Sequence, residues 1–108
     1  MFIGLDVHKD FIQIASIKDG SSPVIESKRI DTRIEQIIEF AKTLTSEDHV
    51  VLESTTHSSP IATLLRSHGA DVVISNPMKT RLMTKSKAKT DKIDAEKLAR
   101  LLAAGAQL

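Results

Sequence analysis

The chain has no cysteine, tryptophan or tyrosine, and only three phenylalanines, Phe2, Phe11 and Phe40. Without thiols there are no disulfides, zinc-thiolate sites or cysteine nucleophiles, and a reducing compartment suits the composition. With three aromatics, all reading as structural residues, base stacking on aromatic platforms is not the expected mode of any nucleic-acid contact. The four glycines, Gly4, Gly20, Gly69 and Gly105, lie far apart and form no phosphate-cradling loop. Long apolar runs are missing too. None approaches the roughly 20 residues needed to span a bilayer, and Asp6 interrupts the N-terminal apolar stretch too early for a signal peptide. These features lead to the expectation of a soluble, cytoplasmic protein. His8, His49, His57 and His68 have no zinc-ligand spacing.

A length of 108 residues suits one domain with one core. The hydrophobic fraction of 41% is carried mainly by Ile, Leu, Val and Ala in short periodic runs, so folding rather than disorder is expected. The net charge of +1 hides a division. Residues 1–75 carry 7 Lys/Arg against 11 Asp/Glu, and residues 76–108 carry 8 against 3. A basic block poor in acids fits a polyanionic partner. Lys79, Arg81, Lys85, Lys87, Lys89 and Lys92 are its candidate phosphate contacts. Backbone binding of this kind depends steeply on salt. The part from about Met78 to Lys89 is expected to be mobile without nucleic acid.

Phe2 to Val7 and Phe11 to Ile17 read as two strands joined by a short hairpin. Asp19-Gly20-Ser21-Ser22-Pro23 is a turn, and Val24 to Ile30 is a third, more polar strand suited to a sheet edge. From Arg33 the period changes to 3.6, with Ile34, Ile37, Ile38, Ala41 and Leu44 on one face and Asp31 or Thr32 placed to cap the helix. Val50 to Glu53 is a short strand. Ser59-Pro60 opens a second helix whose stripe is Ile61, Leu64, Leu65 and His68, with His68 partly buried and Gly69 closing it. Ala70 to Ile74 is a fifth strand, ended by Asn76-Pro77, and the last helix runs from near Thr90 to about Ala103 on Ala95, Leu98, Ala99 and Leu102. Right-handed crossovers place the fourth strand beside the first. The expected fold is therefore α/β, a mixed five-stranded sheet with helices on its faces, in the ribonuclease H-like pattern.

Asp6 sits in an apolar strand, where a charge costs several kcal/mol unless it is paired, solvated or bound to metal. Glu53 ends another strand, and the carboxyl ends of adjacent parallel strands meet at a cleft. Asp91 and Asp94, spaced i,i+3, share a face at the start of the last helix. First-turn capping explains either of these two alone, and a strand-end acid is ordinarily a surface residue. Four acids gathered at three element ends point instead to hard-cation ligation. Oxygen ligands of this kind suit Mg²⁺, with Mn²⁺ as a substitute, and two such ions about 4 Å apart activate water and stabilise a leaving oxygen. His8 and His57 follow the strand-end acids and are candidate donors at the border of the cleft.

Gly4-Leu5-Asp6-Val7-His8-Lys9-Asp10, Glu53-Ser54-Thr55, Asn76-Pro77 and Lys89-Thr90-Asp91-Lys92-Ile93-Asp94-Ala95 together resemble the N-terminal part of the insertion-sequence transposases with an Asp-Glu-Asp-Asp motif. These are related to the Piv-type DNA invertases and include the bridge-RNA-guided recombinases. The resemblance covers the whole chain and implies a domain like that of the Holliday-junction resolvase RuvC, with Asp6, Glu53, Asp91 and Asp94 as catalytic metal ligands. It further implies DNA substrates, a guide RNA, homo-oligomeric assembly and a C-terminal domain with a catalytic serine, so that residues 1–108 would be part of a longer, complete enzyme. One departure stands out. Relatives commonly continue from the Glu-Ser-Thr segment with Gly and an aromatic residue, whereas Thr56, His57 and Ser58 follow here. Two other classes compete: a non-catalytic nucleic-acid-binding or assembly domain, and an actin-like ATPase, which would require glycine-rich nucleotide loops and a second lobe.

Overall fold

A computed structural model describes residues 1–78 and 91–108. The expected mobility of the segment from Met78 to Lys89 falls almost entirely outside the described residues, as do the candidate contacts Lys79, Arg81, Lys85, Lys87 and Lys89.

Three antiparallel strands come first: β1 (Phe2–Val7), β2 (Phe11–Ile17) and β3 (Val24–Asp31). Helix α1 (Ile34–Lys42), strand β4 (His49–Glu53), helix α2 (Ser58–Ser67), strand β5 (Asp71–Ser75) and helix α3 (Asp91–Ala103) follow. The sheet order is β3-β2-β1-β4-β5, with β1 parallel to β4 and β4 parallel to β5. The polar third strand is at an edge, as its composition implied, and the fourth lies beside the first, as right-handed crossovers implied. This is the mixed, helix-flanked sheet of a ribonuclease H-like, RuvC-like fold. No helix among the described residues is long and apolar enough to cross a membrane.

Alternation along the strands gives the sheet two faces. Ile3, Leu5, Ile12, Ile14, Val50, Leu52 and Val72 join Ile37, Phe40 and Ala41 of α1 and Ile61, Ala62 and Leu65 of α2 in one core. Each fully buried Leu or Ile there contributes about 1.5–3 kcal/mol. The opposite face carries Gly4, Asp6, Gln13 and Ala15, with Gly4 paired to Ala15 and Asp6 to Gln13. Helix α3 covers it through Ala95, Leu98 and Ala99. Gly4 is required by this docking. A Cβ built on it would fall on the Ala95 carbonyl oxygen and stand 2.9 Å from the Ala99 nitrogen, so the helix backbone lies directly on the strand.

Three local expectations are corrected. Neither Asp31 nor Thr32 caps α1: its N-cap is Arg33 without a side-chain bond. The Thr32 hydroxyl instead donates to the His8 carbonyl at 2.8 Å, while Gln36 accepts from the Asp31 amide at 2.7 Å. Ile34 is 62% exposed, because the apolar stripe begins only at Ile37. His68 is exposed rather than partly buried, since it follows the last turn of α2 as its C-cap. Gly69, at φ 98°, takes the left-handed conformation that ends the helix.

Candidate metal centre

The β1–β2 hairpin sets the first part of the site. His8 donates its backbone N–H to the Phe11 carbonyl at 2.8 Å, closing a tight turn, and Thr32 holds the His8 carbonyl from β3's end. This aims the His8 ring back over the strand toward Asp6, two residues earlier on the same face. Phe11 stacks on the imidazole with ring centroids 4.4 Å apart. His8 Nε2 lies 2.7 Å from Asp6 Oδ2 and 3.1 Å from Asp91 Oδ1. Ionised carboxylates only accept, so a ring hydrogen at Nε2 suits the metal-free arrangement, and ligation of a cation through that nitrogen would require its loss. One histidine nitrogen thus spans an acid of β1 and an acid of α3.

Helix α3 runs antiparallel to β1. Its Ala95 and Ala99 rest on Gly4, which carries Asp91 over the carboxyl end of the strand. At the other end, Arg100 donates to the Gly20 and Ser22 carbonyls at 3.1 and 3.0 Å and pairs with Glu96, fixing the helix to the β2–β3 turn. Asp6, His8 and Asp91 each offer one ligand atom within 4.8 Å of the others. Asp94 is one turn further along α3, and its charge acts on Asp6. Glu53 follows Leu52, which is paired with Leu5, so the parallel register puts Glu53 on the neighbouring strand at the level of Asp6.

Asp6 is the most buried carboxylate of the cluster, its side chain 17% exposed. Its pKa is raised: burial is the largest cause, His8 opposes it, and the charges of Asp94 and Asp91 add to it. The metal-free site therefore works against its own ionisation. A divalent cation would relieve that conflict, and the donor set, carboxylate oxygens with one imidazole nitrogen, is a chemistry such ions accept.

Sequence reasoning treated His8 as a neighbour of the site, whereas the fold brings its ring nitrogen into the cluster. The i,i+2 spacing from Asp6 was the signal for this. His57, the other candidate at the cleft border, is exposed at the start of α2, its backbone N–H bonded to Thr55. Lys92 is exposed on α3. Three residues near the site were missed. Arg29 contacts Asp91 Oδ2 at 3.3 Å, the buried Gln13 accepts from Arg29 Nε at 3.2 Å, and the Phe11 ring lies 3.8 Å under the guanidinium carbon. A polar Gln amid the apolar residues of β2 was the available sign.

Residues 3–108 match the DEDD transposase family of the IS110 type. Over 105 residues the chain is 35% identical to the transposase for insertion sequence element IS1533 of Leptospira borgpetersenii, an alignment covering 94% of this chain and 30% of that protein. The chain thus spans under a third of the length of the curated relative it matches. With the fold, the acidic cluster and this match together, the chain belongs to the IS110-type family of Asp-Glu-Asp-Asp transposases.

Proposed function

We propose that this chain is the nuclease-like part of a DNA transposase, in which Asp6, Glu53, Asp91 and Asp94 hold Mg²⁺, or Mn²⁺ in its place, for phosphodiester cleavage and strand exchange. The observation that carries this reading is the meeting of Asp6 and Asp91, from the first strand and the last helix, around one histidine nitrogen at 2.7 and 3.1 Å. Capping of α3 accounts for Asp91 but gives no reason to bring Asp6 to it. The bound ion supplies Lewis-acid stabilisation of phosphate oxygens and a water acidic enough to act as nucleophile.

The protein's own contribution is placement. Support comes from Asp6 and Glu53 lying on neighbouring parallel strands, β1 and β4, and from Asp91 and Asp94 sharing the first turn of α3. His8 orients the first and third of these by hydrogen bonding. The sheet beneath excludes water from one side of Asp6, which strengthens every charge interaction made there. The partners we assign are DNA, a guide RNA, further copies of the chain and a C-terminal domain contributing a catalytic serine. The basic residues Lys79, Arg81, Lys85, Lys87, Lys89 and Lys92 are assigned to phosphate contact.

Thermal melts of the protein in chelator and across a Mn²⁺ titration test the metal assignment. A cation that binds the folded state alone raises the melting temperature with concentration, and Asp94→Asn should reduce that rise. A melt indifferent to Mn²⁺ and Mg²⁺ would refute the assignment and favour a non-catalytic nucleic-acid-binding domain.

A further inference from the structure

Asp6, Gln13 and Arg29 form a row across three adjacent strands, Asp6 opposite Gln13 in β1 and β2, and Gln13 opposite Arg29 in β2 and β3. The middle member is 2% exposed. A buried amide is costly unless its hydrogen bonds are made, and the bonds of Gln13 all serve β3. Its Nε2 donates to the Lys28 carbonyl at 3.0 Å and to Ser27 Oγ at 3.4 Å, and its Oε1 accepts from Arg29 Nε at 3.2 Å. Gln13 thus fixes the guanidinium through its inner nitrogen. Phe11, 3.8 Å away, fixes its plane. The outer nitrogen NH2 reaches the carboxylate cluster, at 3.3 Å from Asp91 Oδ2, with Arg29 half exposed.

Holding Asp91 does not require this much preparation. An exposed single contact of this length is weak, and a lysine would make it as well. A planar cation held by a buried amide and an aromatic ring suits a ligand with two or more adjacent acceptor oxygens. Beside a cluster that gathers cations for phosphate chemistry, that ligand is a phosphodiester. We propose that Arg29 is a phosphate-binding residue of this centre, taking a backbone oxygen of bound nucleic acid when a cation occupies the carboxylates and releases the guanidinium from Asp91. The assignment rests on the metal-dependent reading of the site given above and adds to it a nucleic-acid contact on β3, outside the stretch of sequence that holds the basic block of residues 79–92.

Fluorescence anisotropy with a short DNA duplex in Ca²⁺, from about 50 to 200 mM salt, tests it on the protein and on Arg29→Gln and Arg29→Lys. Arg29→Gln should bind about tenfold more weakly, the usual scale of a lost charge-assisted contact. Its plot of log affinity against log salt should be about one unit shallower. Arg29→Lys should recover the slope but bind more weakly than the unchanged protein, because it keeps the charge without the planar fork, and that loss of affinity is the readout should the Gln variant fold poorly. The Mn²⁺-induced melting shift of Arg29→Gln should be at least as large as that of the unchanged protein, because a competing cation has gone. Equal affinity and slope in the unchanged and Gln proteins, including no binding by either, would overturn the proposal. So would a loss of duplex binding that runs parallel to a lost Mn²⁺ shift, which would make Arg29 only a positioning residue for Asp91. Failure of the metal reading itself appears separately, as a Mn²⁺-insensitive melt of the unchanged protein.

Discussion

Replacing Gly4 with alanine should damage the domain and its metal response together. The nearest atoms the added methyl meets are all backbone, the Ala95 carbonyl and the Ala99 nitrogen, and backbone has no rotamer by which to step aside. Ordinary contact needs about 3.5 Å, so a nitrogen at 2.9 Å must recede by about half an ångström, and the Ala95 oxygen by more. Overpacking of this kind typically costs about 1–3 kcal/mol. For a domain of this size the melting temperature falls by about 4 °C per kcal/mol, giving an expected drop of about 4–12 °C in chelator. The same retreat carries Asp91 and Asp94 away from Asp6, and metal–ligand distances tolerate only about 0.2 Å. The Mn²⁺-induced shift of Gly4→Ala should therefore be less than half that of the unchanged protein. Differential scanning fluorimetry with and without Mn²⁺ measures both effects. A variant melting within about 2 °C of the unchanged protein, with its metal shift intact, would show that α3 does not hold the site by lying on β1.

Asp91→Asn should leave the metal-free melt within about 1 kcal/mol of the unchanged protein, since its lost partners are exposed ion pairs, yet sharply reduce the metal-induced rise; equal rises would remove Asp91 from the site. For Asp6 the sign follows from its raised pKa. The folded state holds the proton more tightly than the unfolded chain, so no penalty exists below the unfolded pKa, and stability is lost as pH rises through the window up to the folded value. In chelator, Asp6→Asn should thus be the more stable protein at neutral pH, the advantage vanishing on acidification below the ordinary carboxylate range, and urea titrations across pH would expose an error as two parallel profiles. Exchanging Lys85, Lys87 and Lys89 for Gln should weaken binding to unrelated duplexes alike and flatten its salt dependence; unchanged affinity at physiological salt would make that segment mere surface.

The elements of the fold were readable because the period-two and period-3.6 runs are clean: β1, β2 and α3 fall where Phe2, Phe11 and Ala95 with Leu98 indicate. Asp6 and Glu53 were readable as strand-end acids for the same reason. What failed was anything decided by a distant neighbour. Thr32 looks like a helix cap locally, but the hairpin turn presents it with the His8 carbonyl, and the hydroxyl turns to donate there instead of accepting from the first N–H groups of α1. Ile34 fits the apolar stripe of α1, yet the first turn of that helix overhangs the core. Arg29 and Gln13 became meaningful only through a register spanning three strands, and Gly4 only through a helix that begins 87 positions later in the chain.

The two faces of the sheet are secured differently. One is covered by α1 and α2, which touch each other as well as the strands, whereas among the described residues the other face is covered by α3 alone, fastened by Arg100 at one end and by His8 and Arg29 at the other. Local opening by detachment of a single helix is the cheapest excursion such an architecture allows. It would leave Asp6 and Glu53 in place on their paired strands while taking Asp91 and Asp94 into solvent. On the proposed reading, the centre would be split between acids carried by the sheet and acids carried by a single helix. A cation bound across both would act as a clasp on the helix, and slowed amide exchange along α3 would report its occupancy without any reaction taking place.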